Sequence, residues 1–357
     1  MTLDVRRIHE AYPYLAERTY LNTAAAGLSW VGEGAAAASF YSGAKSKGIN
    51  GRDEWQGVLR QAIQRVRSLL GGFDGEINFF GNTSEVVNLV AHSIEWNAGD
   101  EIVLAADEFP SVVFAWQHST KAGAIVRYAD EGDEASRTER ILAQICERTK
   151  VVAVSHVHWA TGTAVDIERI GKACREHDAL LVVDGVQALG AIPVEMRYVD
   201  VYCSAVFKWL CSGFGLSIAA ISERAASRFC PAFLGYANAG PAGGLQYAHM
   251  NYPGIYALNA TLGHMEQLGW SDIYTRVNAN WSRLAMGLKR LGYTASAPED
   301  RHAGIVSIEI ENSESVRDSL KDKSIDVEAR FGLLRVSPHF YNSDADVDRL
   351  LDAIATI

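Results

Sequence analysis

The stretch ALLVVDG at residues 179–185 is the clearest guide to the fold. An unbroken apolar run that ends in a carboxylate and a glycine is typical of a strand that is buried on both faces and followed by a tight turn. Similar runs alternate with helical patterns such as those at 55–70 and 167–177, and this alternation predicts an α/β fold with a largely parallel sheet. The further strand candidates lie at 101–105, 124–129, 151–155 and 201–205.

The last hundred residues have a different pattern. A long helical pattern at 255–291 precedes short strand and helix patterns, which predict a smaller α+β unit. We therefore predict three parts: an N-terminal segment at 1–18 that packs with the smaller unit, a large domain at 19–250 and a small C-terminal domain at 251–357. The boundary falls in a segment rich in glycine, proline and alanine.

The composition excludes several classes of protein. The 357 residues are 48% hydrophobic and 21% charged, as in ordinary globular proteins. A formal net charge of −10 argues against a nucleic-acid-binding protein, and no apolar run approaches the roughly 18 residues of a membrane span. The five cysteines form no C-x-x-C pair, and the N-terminus lacks the apolar stretch of a signal peptide. We expect a cytoplasmic protein without a metal site.

Two charged residues lie within apolar surroundings. Asp184 ends its strand, which is where open α/β sheets place ligands; the alternative is a carboxylate that merely starts a turn with Gly185. Lys208 lies between Phe207 and Trp209, where desolvation would lower the pKa of its amine and favour Schiff-base chemistry. The alternative for Lys208 is a surface lysine whose aliphatic stem alone is covered.

A polar segment at 81–85 follows a strand and precedes a helix. Thr83 or Ser84 can cap this helix, and its free N–H groups can bind a phosphate, although a plain cap is the alternative. The fingerprint G-x-G-x-x-G is absent, which disfavours a dinucleotide site. A phosphate site, a carboxylate for a ring nitrogen and a lysine for an aldehyde together indicate pyridoxal 5'-phosphate.

The chain resembles class V aminotransferases, which are fold-type-I pyridoxal-phosphate enzymes. This group includes cysteine desulfurases, kynureninases, isopenicillin-N-epimerase-like proteins and C–S lyases. The resemblance runs from YLNTAA at 20–25 to RVSPHFYN at 335–342, and its most specific parts are VVDGVQALGAIPV at 182–194 and FKWLCSGFG at 207–215. It implies a large domain with a mostly parallel, seven-stranded sheet, a small α+β domain, and a homodimer with the cofactor near the subunit interface.

The resemblance also implies a role for each matching residue. Lys208 would form the Schiff base with the cofactor, and Asp184 would keep the pyridinium nitrogen protonated. The other residues expected at the cofactor are Thr83 and Ser84 at the phosphate, Phe109 and Val186 against the ring, Gln187 at the phenolic oxygen, and Ser204, Gly254 and Ile255. Those expected at the substrate are Arg335, which would bind the carboxylate, with His158, Trp159, Asn22 and Ala25.

Some positions depart from the pattern of this group near the phosphate. Many relatives have serine three residues before the lysine and histidine directly before it, where this chain has Ala205 and Phe207. Ser204 could compensate, although a continuing strand would turn its side chain to the opposite face. At the segment that crosses to the partner subunit, Gly254 and Ile255 replace the usual Gly-Thr, which would leave only backbone donors.

Two of the expected substrate residues have structural alternatives. Arg335 would suit bidentate binding of a carboxylate, but an ion pair at the rim of the protein is the alternative. His158 follows a strand, and a histidine in that position is often a hydrogen-bonded structural residue.

The implied activity is that of a pyridoxal-phosphate enzyme that acts at the α-carbon of a small amino acid after proton abstraction by Lys208. Aminotransferase is the label of the group, with C–S lyase (β-elimination) and epimerase as alternatives. A non-catalytic binding protein on this scaffold and a nucleotide-dependent oxidoreductase are the other hypotheses. Desulfurases of the group use a cysteine before the carboxylate-binding arginine, and residues 328–334 contain none. We therefore expect that the protein is not a persulfide-relaying cysteine desulfurase.

Overall fold

The computed structural model describes residues 3–129, 136–240 and 243–357. Within these ranges the strands are β1 (Thr19–Tyr20), β2 (Glu76–Phe80), β3 (Glu101–Ala105), β4 (Ile125–Ala129), β5 (Thr149–Ser155), β6 (Leu180–Asp184), β7 (Val201–Ala205), β8 (Ser217–Ile221), β9 (Val306–Glu309), β10 (Ile325–Asp326), β11 (Glu328–Arg330) and β12 (Leu333–Val336).

The α-helices of the same ranges alternate with these strands in the first two thirds of the chain. They are α1 (Val5–Ala11), α2 (Glu33–Ser42), α3 (Arg52–Leu69), α4 (Thr83–Ser93), α5 (Pro110–Phe114), α6 (Arg137–Leu142), α7 (Ile167–Glu176), α8 (Glu223–Ala226), α9 (Tyr252–Leu268), α10 (Trp270–Arg290), α11 (Ser313–Asp322) and α12 (Asp344–Ile354). The helical patterns near 55–70 and 167–177 correspond to α3 and α7.

The main sheet has the order β2-β8-β7-β6-β5-β3-β4. Strand β8 runs antiparallel to both of its neighbours, and the other neighbouring pairs are parallel. Every residue of β3, β6, β7 and β8 is buried, because helices cover both faces of the sheet. The predicted α/β architecture with a mostly parallel, seven-stranded sheet is confirmed.

A smaller antiparallel sheet, in the order β11-β12-β9, forms the C-terminal unit together with α10, α11 and α12. Its core contains apolar residues of all three helices, such as Leu284, Leu320 and Leu350, packed against Val306 and Leu334 of the sheet. This arrangement confirms the predicted α+β character of the C-terminal unit.

The N-terminal segment and helix α9 pack against different units. Ile8, Tyr12 and Leu15 of the N-terminal segment pack in one cluster with Phe340 and Tyr341, which follow β12. Helix α9 lies just after the predicted boundary between residues 250 and 251, yet its residues Ile255, Leu258 and Leu262 belong to the core of the main sheet. The boundary itself stays a prediction, but the packing joins α9 to the large unit.

Among the described helices, none combines the length and the apolar character required to cross a lipid bilayer.

Candidate active site

Asp184 lies at the carboxyl end of the central strand β6, where it faces a cavity. Asp184 is 8% exposed, and its carboxylate accepts a hydrogen bond of 2.9 Å from the N–H of Val186. The next residue must be glycine, because a Cβ at Gly185 would lie 2.1 Å from the ring of Tyr202. Burial raises the pKa of Asp184 to about 6, and the nearby Lys208 opposes this rise.

Lys208 lines the same cavity and follows β7, the neighbour of β6 in the sheet. Its ammonium lies 5.7 Å from the centre of the Phe207 ring. Desolvation lowers the pKa of Lys208 to about 8, while Asp184 acts in the opposite direction and Arg335 adds to the decrease. The structure therefore brings the two charged residues together in an apolar setting, as their sequence positions indicate.

The N-terminus of α4 forms one end of the cavity. Asn82 caps the helix by accepting a hydrogen bond of 2.9 Å from Glu85, and Thr83 and Ser84 follow it in the cavity wall. The hydroxyl of Ser84 lies 2.7 Å from that of Ser111, a residue that the sequence analysis did not select. This end offers hydroxyl groups and helix N–H groups, the usual donors for a phosphate.

A buried polar network behind the cavity was also missed. Ser155 ends β5 directly beside Asp184 and lines the cavity. Glu108 accepts hydrogen bonds from both the N–H and the hydroxyl of Ser155, and Arg137 donates to the same carboxylate at 2.8 Å. The signal was present in the sequence, because Ser155 ends an apolar strand just as Asp184 does.

The walls between the N-terminus of α4 and Lys208 include Phe109, Trp159, Val186 and Gln187. The orientation of Gln187 is set by two hydrogen bonds: its Oε1 accepts from the indole of Trp209 at 2.8 Å, and its Nε2 donates to the carbonyl of Ala24 at 3.1 Å. Since an amide nitrogen carries two hydrogens, Nε2 retains one donor for a ligand.

Arg335 lies on β12 and is 4% exposed. Its Nη1 donates to the carbonyl of Trp159 at 2.9 Å, whereas its Nε is buried without a hydrogen-bond partner. Among the described residues Arg335 has no ion pair, so the rim salt bridge considered above is not formed. Burial lowers the pKa of Arg335 to about 10, which leaves it charged at neutral pH.

Three expected cofactor residues are absent from the lining of this chain's cavity, and two of them, Gly254 and Ile255, are expected at the cofactor of the partner subunit. Ser204 turns away from it, because side chains alternate along β7 and Ala205 takes the inward position; the Ser204 hydroxyl donates to the carbonyls of Gly185 and Ala205. The N–H groups of Gly254 and Ile255 are used within the first turn of α9, where both bond to Asn251. They are therefore not free backbone donors.

The expected substrate residues are placed unequally. Trp159 lines the cavity, but both ring nitrogens of His158 already have partners, Thr161 at 2.8 Å and the carbonyl of Asp107 at 3.1 Å. Burial lowers the pKa of His158 and so favours its neutral form. Asn22 and Ala25 lie outside the cavity lining, and Asn22 instead bridges to Ser337 in the continuation of β12.

The donor set of the cavity fits pyridoxal phosphate. Asp184 is a buried carboxylate that lacks a close cationic partner among the described residues. Such a carboxylate is a suitable partner for a protonated ring nitrogen. Lys208 presents a desolvated amine, and α4 presents its N-terminus. The Nε of Arg335 is an unsatisfied buried donor, which a carboxylate would satisfy.

Comparisons with known proteins agree with this geometry. The family model of class-V aminotransferases matches residues 35–350. An uncharacterized aminotransferase of Bacillus subtilis, YcbU, is 24% identical over 332 residues, which are 88% of each chain. The apo structure of a cysteine desulfurase from Thermococcus onnurineus superposes with a TM-score of 0.90 at 24% identity, covering 100% of this chain and 98% of that one. The predicted fold-type-I architecture is thereby confirmed.

The expectation that the chain stands apart from cysteine desulfurases is wrong. A probable cysteine desulfurase of Pyrococcus abyssi is 27% identical over 312 residues, which are 78% of each chain. The missing cysteine at 328–334 therefore does not separate this chain from that group. The match of the family model over most of the chain shows that the protein belongs to the class V aminotransferases, which are pyridoxal-phosphate-dependent enzymes.

Proposed function

We propose that the protein acts at the α-carbon of an amino acid and that Lys208 is the base that removes the α-proton. The observation that carries this proposal is that Lys208 lines one largely apolar cavity with Asp184, where desolvation lowers the pKa of the lysine to about 8. An ordinary lysine has a pKa near 10.4 and is almost fully charged at neutral pH, so desolvation gives Lys208 a larger fraction of basic, neutral amine.

Pyridoxal phosphate, when bound, supplies an electron sink for the charge that develops at the α-carbon. Asp184 would hold the proton at the ring nitrogen, because a buried carboxylate favours a neighbouring positive charge. Thr83, Ser84 and the N–H groups of α4 would bind the phosphate. Phe109 and Val186, which line the cavity, would limit the position of the ring.

Arg335 would bind the substrate carboxylate and so orient the α-carbon toward Lys208. Its Nη1 is engaged with Trp159 and its Nε is free, which leaves donors on the guanidinium for a carboxylate. The proximity of Arg335 to Lys208 is reflected in its electrostatic effect on the lysine.

The test is exchange of the substrate α-proton in D2O, because proton removal precedes transamination, elimination and epimerisation alike. We expect the holoenzyme to exchange the α-proton of at least one amino acid in a panel, followed by NMR. Lys208→Ala should lower the rate by roughly a thousandfold. Lys172→Ala, a lysine paired with Glu168 on the surface of α7, is the matched control. Absence of exchange for every amino acid, with cofactor bound, would refute the proposal.

Product analysis of the same reactions then assigns the reaction type. A 2-oxo acid together with an aminated cofactor indicates transamination, whereas pyruvate with ammonia or a released sulfur species indicates elimination. Inverted configuration at the α-carbon without either product indicates epimerisation.

The proposal includes a cytoplasmic homodimer. Phe214 stacks on Phe207 of the cavity wall with ring centres 4.3 Å apart, yet Phe214 is 72% exposed. Leu234 and Tyr236 are similarly exposed large side chains, and such residues favour a protein interface. Light scattering should give twice the chain mass, and Phe214→Asp should shift it toward the monomer. The free cysteines agree with a reducing compartment, which cell fractionation would test.

A further inference from the structure

Phe331 occupies the tip of a tight hairpin in a conformation that suits it poorly. Strands β11 and β12 pair with Arg330 opposite Leu333, so Phe331 and Gly332 form a two-residue loop. Their φ angles are +52° and +78°. Two consecutive positive φ angles are typical of a type I′ turn, which favours asparagine followed by glycine. A phenylalanine in the first position therefore lowers the stability of the hairpin.

Burial does not compensate for this conformation, because Phe331 is 85% exposed. Its ring meets the ring of Trp159 edge-on, with centres 5.7 Å apart and an interplanar angle of 77°. Trp159 meets Phe109 in the same way, with centres 5.8 Å apart. Since Trp159 and Phe109 both line the cavity, the three rings form a continuous aromatic wall from the cavity to the surface.

The aromatic wall is hydrogen-bonded to Arg335, which would bind the substrate carboxylate. The indole of Trp159 touches Phe331, while its backbone carbonyl accepts a hydrogen bond from Arg335. Arg335 lies on the same hairpin as Phe331, on strand β12. A substrate held by Arg335 therefore lies next to the aromatic ring of Trp159.

The charge of Arg330 acts at the site, where it contributes to the lowered pKa of Lys208 and Arg335, but a neighbouring carboxylate opposes it. Its guanidinium lies 3.8 Å from the carboxylate of Glu328, two residues earlier on the same strand, and its side chain is about half exposed. Glu328 therefore opposes the positive charge that Arg330 would otherwise offer to an acidic substrate side chain.

We propose that Phe331 determines substrate specificity: with Trp159 it forms a surface that selects amino acids with a large apolar, preferably aromatic, side chain. This inference rests on the proposed function. Edge-to-face contacts between aromatic rings stabilise a bound substrate ring by more than the burial of its apolar surface alone. The loss of stability at the hairpin tip is then explained by selectivity.

The experiment replaces Phe331 with the residue that the turn prefers. Binding of L-phenylalanine, L-alanine and L-aspartate to the holoenzyme is followed by titration of the cofactor absorbance, and the melting temperature is measured in parallel. We expect the wild type to bind phenylalanine at least tenfold more tightly than alanine. In Phe331→Asn this ratio should fall at least fivefold, while the melting temperature stays equal or rises. Tyr128→Asn, at an exposed aromatic on the edge strand β4, is the control and should leave the ratio unchanged.

The outcomes separate this inference from the proposed function. If none of a wider panel of amino acids changes the spectrum of the wild type, the proposed function fails. If amino acids bind but the wild type does not prefer phenylalanine, or if it prefers aspartate, the specificity role is refuted and Arg330 becomes the residue to consider. An unchanged ratio in Phe331→Asn would also refute it.

Discussion

Two regions of the molecule border the same cavity, and they are built in opposite ways. The cofactor side consists of strand ends in a buried sheet: Asp184 closes β6, and Lys208 follows β7. The substrate side includes the β11–β12 hairpin, whose tip residue Phe331 is 85% exposed and has a positive φ. The first region derives its properties from burial, whereas the tip of the second presents its side chain at the surface.

The difference separates chemistry from selectivity. The pKa shifts of Asp184 and Lys208 come mainly from desolvation, and desolvation requires a packed core that tolerates little change. A loop at the surface can change its side chains without disturbing that core. We therefore expect substitution of the buried Lys208 to abolish the reaction and substitutions at the hairpin tip to alter which amino acids react.

The largest expected effect tests the cofactor side. Lys208→Ala should lower turnover by roughly a thousandfold and remove covalent capture of the cofactor. Borohydride treatment of the wild type followed by mass spectrometry should place a pyridoxyl group on Lys208 alone, and the variant should carry none. A pyridoxyl group on a different lysine would contradict the assignment of the reactive amine to the buried strand ends.

A smaller effect tests the substrate side. Arg335→Ala should weaken amino-acid binding about 10- to 100-fold, since a charged hydrogen bond contributes about 1.5–3 kcal/mol. The corresponding amines, which lack the carboxylate, should bind the variant and the wild type equally well. Equal weakening for amines and amino acids would show that Arg335 supports the structure around Trp159 instead of binding a carboxylate.

The pH dependence of stability sharpens the account of Asp184. Burial raises its pKa to about 6, above the unfolded value near 3.9, so the folded apoprotein binds this proton more tightly than the unfolded chain does. Stability from this group is therefore present at low pH and is lost as the pH rises from about 4 to 6. Asp184→Asn should remove that part of the decrease in the melting temperature of the apoprotein. Parallel profiles for the two proteins would contradict the assignment.

The smallest expected effects compare two hydroxyl groups: that of Thr83 at the start of α4, which lines the cavity, and that of Ser204 on β7, which points away from it. Thr83→Ala removes a hydroxyl from the cavity wall and should weaken cofactor binding about 2- to 10-fold. Ser204→Ala removes a hydroxyl that bonds only to main-chain carbonyls on the other face, and cofactor binding should change less than about twofold. A larger effect of Ser204→Ala would place this side chain at the phosphate after all.

Much of the cofactor side could be predicted from the sequence. The apolar run that ends in Asp184, and the apolar residues around Lys208, are local features whose physical meaning depends on few other residues. The start of the next helix is equally local, although its cap is Asn82 and not Thr83 or Ser84 as the sequence analysis expected. These residues line one cavity because carboxyl ends of neighbouring parallel strands meet at one edge of a sheet.

The substrate side was harder to predict. The loop of Phe331 and Gly332 lacks the Asn-Gly signature of a two-residue hairpin, so the hairpin was not recognised. His158 was selected from the family resemblance, but its hydrogen bonds to Thr161 and Asp107 were not visible in the sequence. From the sequence, a cysteine desulfurase was excluded because residues 328–334 contain no cysteine. This prediction was wrong, because a single position cannot outweigh similarity along most of the chain.

The sequence by itself determined the α/β architecture, the class of cofactor and the lysine and aspartate expected to serve it, because apolar periodicity and short motifs act over neighbouring residues. Only the tertiary structure decided that Ser204 turns away from the cavity, that Glu108 holds Ser155 beside Asp184, and that Phe331 meets Trp159. These contacts depend on strand register and on the packing of two units, which join residues far apart in the chain and which no local pattern specifies.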